Sequence, residues 1–129
     1  MSKAKALVIL LAGLVATACG PDTIMVRPGL DTPAQHAANG RQLLDRGKLA
    51  DAVREFNRAK ELDPHYVSAY IGLGIALGLK GDLASGFASM DQAREMAVSE
   101  QDTAQVRKGY ERLAEIKRQK SALPCKQQD

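Results

Sequence analysis

The sequence predicts an all-α fold: a short solenoid of two helix-turn-helix units followed by a C-terminal capping helix. Three observations carry that reading. Residues of matching size and type recur 34 positions apart between residues 33 and 98, and a period in that range marks a stacked array of supersecondary units. The run YVSAYIGLGIALGL at residues 66–79 carries no charge, so a helix there has no face for water and needs neighbours on most sides. The last periodic segment has one apolar stripe on an otherwise charged surface, the pattern of a helix that ends a stack.

The chain opens on a different signal. Lys3 and Lys5 precede the uncharged run ALVILLAGLVATA at residues 6–18, which closes on small residues. A short positive start, an apolar core and small residues, in that order, mark a secretory signal peptide. The run is shorter than the roughly 20 residues needed to span about 30 Å of hydrocarbon. Ala16-Thr17-Ala18-Cys19 resembles a bacterial lipobox, with Ala16 in place of the usual Leu. The resemblance implies cleavage before Cys19 and acylation of its thiol. Residues 1–18 are then a lipoprotein signal peptide, and residues 19–32 a lipidated cysteine with a flexible tether. Several acyl chains anchor firmly where one is marginal, each buried CH₂ contributing about 0.8 kcal/mol. Gly20, rather than Asp, follows the cysteine. By resemblance to Gram-negative lipoproteins this implies an outer-membrane anchor facing the periplasm. The tether GPDTIMVRPGLDT reaches roughly 43 Å when extended at about 3.3 Å per residue.

Removing the leader leaves sixteen Lys and Arg against fifteen Asp and Glu. The remaining chain is close to neutral, so the sequence pI of about 9.0 is a poor guide to partners. Aromatic residues make up 4% of the chain, too few for a base-stacking platform, and nucleic-acid binding is not expected. Once Cys19 is acylated, Cys125 has no partner for an intrachain disulfide and falls in a tail over residues 121–129 expected to be disordered.

The first helix starts at Thr32-Pro33-Ala34-Gln35, with a capping Thr, Pro at the first helical position and Gln at the third. Counting Pro33 as position 1, Gly40 falls at 8, Leu43 at 11, Gly47 at 15, Ala52 at 20, Phe56 at 24, Ala59 at 27 and Pro64 at 32. In the next unit the same positions hold Gly74, Leu77, Gly81, Gly86, Met90, Ala93 and Val98. Gly47 and Gly81 end the first helix of each pair in a left-handed conformation, and Asp82 caps the helix after it. Gly40 with Ala52, and Gly74 with Gly86, let paired helices approach closely. Phe56 and Met90 fill the space beside the crossing, and Ala59 and Ala93 face the next helix. Leu43 and Leu77 complete the packing set. After Ser99 one more helix covers residues 101–120, with Val106, Tyr110 and Leu113 on a single stripe.

These positions resemble the tetratricopeptide repeat (TPR) of bacterial lipoproteins, with units at residues 33–66 and 67–100. Gly86 and Val98 depart from the usual Ala and Pro. The resemblance implies that the first helix of each unit lines a groove. Carried over, the groove takes Ala34, Ala37, Arg41, Leu44 and Asp45 from the first unit, and Ser68, Ile71, Ile75, Gly78 and Leu79 from the second. Ile71, Ile75 and Leu79 form an apolar strip that suits an amphipathic peptide or helix. The same strip is alternatively core, covered by the cap helix or by a second copy. The tether, with Ile24, Met25, Val26 and Leu30, is a further candidate occupant.

Chemistry is sparsely represented. His36 and His65 are the two histidines. His36 is expected at a packing or groove-edge position and His65 in the turn after Pro64, neither with spaced ligands suggestive of a metal site. Gly72, Gly74 and Gly78 lie inside a helical pattern, not in a phosphate loop. No enzymatic activity, cofactor or metal is expected. Between residues 101 and 129 seven cations face four acids, read as a solvated helix face, with contact to anionic lipid or an acidic partner as the alternative. The functional expectation is a membrane-anchored periplasmic adaptor or assembly factor that binds a peptide or helix of an envelope machine, of pilus or secretion type. The alternative is a structural envelope lipoprotein that self-associates through the apolar strip.

Overall fold

The computed structural model describes residues 31–123, so the signal peptide, Cys19, most of the tether and Cys125 lie outside the described residues. Within them the chain forms five helices in simple succession: α1 (Pro33–Asp45), α2 (Leu49–Leu62), α3 (Val67–Lys80), α4 (Leu83–Met96) and α5 (Glu100–Ala122). Each packs against the one before it, and α3 also touches α1 and α5. This is the expected all-α, TPR-like stack. No helix among the described residues is long and apolar enough to cross a membrane.

Local chemistry sets the ends. The Thr32 hydroxyl accepts the Gln35 amide proton at 3.2 Å, satisfying one of the donors that a helix start leaves open. The reciprocal half of the capping box does not form, because the Gln35 side chain donates to Asn39 one turn along at 3.0 Å. Gly47 and Gly81 are the two positive-φ residues among those described, at 71° and 110°, and each turns the chain out of the first helix of its pair. Asp82 caps α4 through the Ser85 amide at 3.0 Å. Ser99 caps α5 through the Asp102 amide, also at 3.0 Å, while its hydroxyl donates to the Asp102 carboxylate at 2.7 Å. The α5 helix runs to Ala122, two residues beyond the expected end.

The core sits along α3. Eight of its fourteen residues are buried, which is why this segment carries no charge until Lys80. A first cluster joins Ala37, Ala52, Phe56, Ala59, Ala69, Leu73 and Ala76. A second joins Val67, Tyr70, Ala93 and Val106, and a third joins Met90, Leu113 and Ile116. Alanines and glycines let the backbones close in, and one large side chain then plugs each crossing. The Phe56 ring lies in the niche between Gly40 and Gly72; a Cβ added to Gly72 would sit 2.2 Å from the ring. Met90 repeats the arrangement one unit later, where a Cβ on Gly109 would fall 2.6 Å from its sulfur and one on Gly74 3.1 Å from its terminal methyl. Gly74 and Gly86 touch through backbone, since a Cβ on either would lie 2.8 Å from the carbonyl oxygen of the other. On α5 the buried stripe is Val106, Gly109, Leu113 and Ile116, with Tyr110 at its edge.

A Gly72→Ala substitution sets two effects against each other. Alanine favours the helix by about 1 kcal/mol, but overpacking a filled core costs about 1–3 kcal/mol, and Phe56 is fully buried with nowhere to move. Urea unfolding is expected to show a net loss of stability. Phe56→Ala alone is expected to cost about 3–5 kcal/mol. In that background Gly72→Ala becomes neutral or stabilising, so the double-mutant cycle shows strong coupling.

Candidate functional site: the first-helix face and its surroundings

The expected groove residues divide three ways. Arg41 and Asp45 are exposed on α1, as is Ala34. Leu44 is half-buried and packs on the first core cluster. Ala37 is 0% exposed within that cluster and is therefore core, a correction to its expected place on the groove. Its small side chain and Gly40 one turn later let α3 close over this part of α1.

The strip on α3 is also less open than expected. Ile71, Ile75 and Leu79 are half-buried against Met90, Leu113 and Ile116. Gly78 is buried, and a Cβ there would lie 2.5 Å from Leu113. The Ser68 hydroxyl donates to Gln105 of α5 at 3.4 Å. The cap helix thus leans on α3 and takes one side of the strip into the core, leaving a partly exposed apolar edge. The expected packing residues Gly40, Ala52, Phe56, Ala59, Gly74, Gly86, Met90 and Ala93 are all buried, and Leu43 and Leu77 are half-buried.

Two features were not foreseen. The first surrounds His36. Its Nδ1 lies 2.8 Å from Glu55 of α2 and its Nε2 2.8 Å from Asp31. Asn39 donates to the same Glu55 oxygen at 3.3 Å, and Arg58 donates to the other Asp31 oxygen at 2.8 Å. Both carboxylate partners of His36 come from other segments, where spacing along one helix does not reveal them. They meet opposite ring nitrogens, which point apart, so they do not converge on a single cation. Among the described residues no group of three such side chains is arranged to hold a metal ion. The network fastens the chain entering α1 to the α1–α2 pair.

The second feature is an open cleft of about 890 Å³ between α4 and α5, lined by Phe87, Glu111, Ala114, Lys117, Arg118, Ser121 and Ala122. Beside it the Phe87 and Tyr110 rings stack with centroids 6.3 Å apart. The Tyr110 hydroxyl donates to Asp91; burial first, then this contact, push its pKa up to about 12. A helical wheel of α5 shows Ala114, Ser121 and Ala122 near one another, but nothing in the sequence places Phe87 opposite them.

Burial disfavours charge on His36, yet the hydrogen bonds to Asp31 and Glu55 outweigh it and raise its pKa above the usual 6.5. Arg58 first, and then His36, hold the Asp31 carboxyl below its usual 3.8. A raised histidine pKa favours the folded state fully below the unfolded value, and that contribution fades as pH rises through the folded value. A lowered carboxylate pKa contributes above its unfolded value and is lost as pH falls through the folded one. The network is therefore strongest between these limits. Urea midpoints of the wild type, measured against pH, are expected to fall from about pH 6 upward relative to His36→Gln.

Residues 40–81 match a family model described as TPR repeat. The match takes in the last six residues of α1, all of α2 and α3, and ends on Gly81, about a third of the chain. It spans both the α1–α2 and the α2–α3 packing, and it stops before the departures at Gly86 and Val98. No curated protein and no solved structure shows a significant match to the chain. Residues 40–81 are thus similar to a TPR repeat, and that likeness points to a role in protein–protein interaction.

Proposed function

We propose that this protein is a lipid-anchored envelope adaptor, without enzymatic activity of its own, that presents the first-helix face of its repeats to a peptide or helix of an assembly machine of pilus or secretion type. The observation that carries the reading is the composition of that face. Arg41 and Asp45 stand exposed on α1, and α3 contributes the partly exposed edge of Ile71, Ile75 and Leu79. A mixed surface of this kind gives orientation through charge and affinity through apolar contact.

Anchoring rests on the leader. In this reading the signal at residues 1–18 directs export, Cys19 carries the acyl chains, and the tether lets the helical domain stand off the outer membrane on its periplasmic side. The TPR match supports the interaction role, and the order of residues 1–20 supports the location.

Three outcomes are expected of the full chain in its native envelope. Photoreactive residues at positions 41 and 45 each form an adduct with the same envelope protein. Arg41→Glu combined with Asp45→Arg removes a crosslink made from position 75, with the helical circular dichroism unchanged. Cys19→Ala moves the chain out of the membrane fraction and abolishes labelling by palmitate. Absence of any adduct from a folded, correctly located chain contradicts the groove. A Cys19→Ala chain that stays membrane-bound contradicts the anchor.

A further inference from the structure

The α5 helix is out of proportion with the rest. It has 23 residues, whereas the four helices before it have 13 or 14. At 1.5 Å per residue it is about 34 Å long beside an α4 of about 21 Å. Its final turns pass the α3–α4 turn, where a Cβ on Gly81 would meet the Lys120 ammonium at 2.9 Å. Ile116 is the last buried residue of α5. Alongside it, on the α4 side, lies the open cleft, with Phe87, Ala114 and Ala122 as its apolar surface and Lys117, Arg118 and Glu111 as its charged lining.

Charge decides what fits there. Among the residues that line the cleft Lys117 and Arg118 face one acid, Glu111, and over residues 107–120 of the same helix six cations face two acids, Glu111 and Glu115. Arg118 pairs with Glu115 one turn back, but its side chain is 75% exposed, and such surface pairs are weak enough to exchange partners. A second copy offering the same face would bring like charges together. The chain's own ends do not supply the complement either: residues 20–30 carry Asp22 with Arg27, and residues 124–129 carry Lys126 with Asp129.

We propose that the α4–α5 cleft is a second docking site, for an acidic amphipathic helix of a partner protein. Its apolar face seats on Phe87, Ala114 and Ala122, and its carboxylates meet Lys117 and Arg118. This surface is separate from the α1–α3 face, so the adaptor holds two partner segments at once. Its affinity falls as salt rises, because the rim charges are exposed and screened.

The test uses the full chain in mild detergent and a fluorescent 18-residue helical peptide with leucines on one face and glutamates on the other. A control peptide carries lysines in place of the glutamates. Fluorescence anisotropy is expected to show binding of the glutamate peptide and at least tenfold weaker binding of the lysine peptide. Lys117→Glu with Arg118→Glu is expected to weaken the glutamate peptide at least tenfold, and so is Ala114→Arg, which fills the cleft. Arg54→Glu, exposed on α2 outside both surfaces, leaves binding unchanged, whereas Arg41→Glu reads out any binding at the α1–α3 face. Equal binding of both peptides overturns the proposal, as does loss of binding in Arg41→Glu but not in the cleft variants. No peptide binding, combined with a preference for phosphatidylglycerol over phosphatidylcholine vesicles that Lys117→Glu with Arg118→Glu removes, assigns the surface to lipid and overturns it too.

Discussion

The Phe56 ring lies between Gly40 of α1 and Gly72 of α3, and the Met90 side chain lies between Gly74 of α3 and Gly109 of α5. In each case a large residue from the second helix of a pair enters the space that glycines leave on its own partner and on the next helix. The rest of the stack depends on that arrangement. Glycine inside a helix costs about 1 kcal/mol relative to alanine. Close packing around a fully buried Phe or Met offsets it, because filled interiors gain dispersion contacts that voids forfeit. Each plug also ties three consecutive helices together, so the pairs are joined to each other as well as within themselves.

Burial along α3 has the same geometric origin. A helix held on one side by Phe56 and on the other by Met90 has little surface left for water, and its sequence is apolar nearly all round. Where α5 leans on it, the Ile71, Ile75 and Leu79 edge is half covered. The surface that remains for partners is therefore divided: the charged residues of α1 with an apolar edge of α3 on one side, and the α4–α5 cleft on another. The His36 network lies at a third place, where the incoming chain meets α1. It ties the point at which any tether begins to the body of the domain.

Much of this was legible in the sequence because local chemistry and period agree. Gly47 and Gly81 could be read as turn residues from their place after an apolar run, and both adopt positive φ. Thr32 and Asp82 could be read as caps from the helix-forming residues next to them. Gly72 and Gly109 could not be read as niches: they lie off the repeat position that singled out Gly40 and Gly74, and only three-dimensional contact shows which side chain each receives. Ala37 was placed on the groove by position alone, and its small size instead let α3 close over it. The partners of His36 come from the segment before α1 and from α2, beyond the reach of helical spacing. The last two residues of α5, Ser121 and Ala122, also fell outside the expected helix, since that helix has no second member against which to set its register.

The packing of Phe56 against two glycines on different helices is the claim on which the stack rests, and nuclear Overhauser effects in the folded chain address it directly. Phe56 ring protons should show strong cross-peaks to the Hα protons of both Gly40 and Gly72. Cross-peaks to Gly40 alone, with none to Gly72, would mean that the pairs do not nest in succession, and both proposed docking surfaces would lose their foundation.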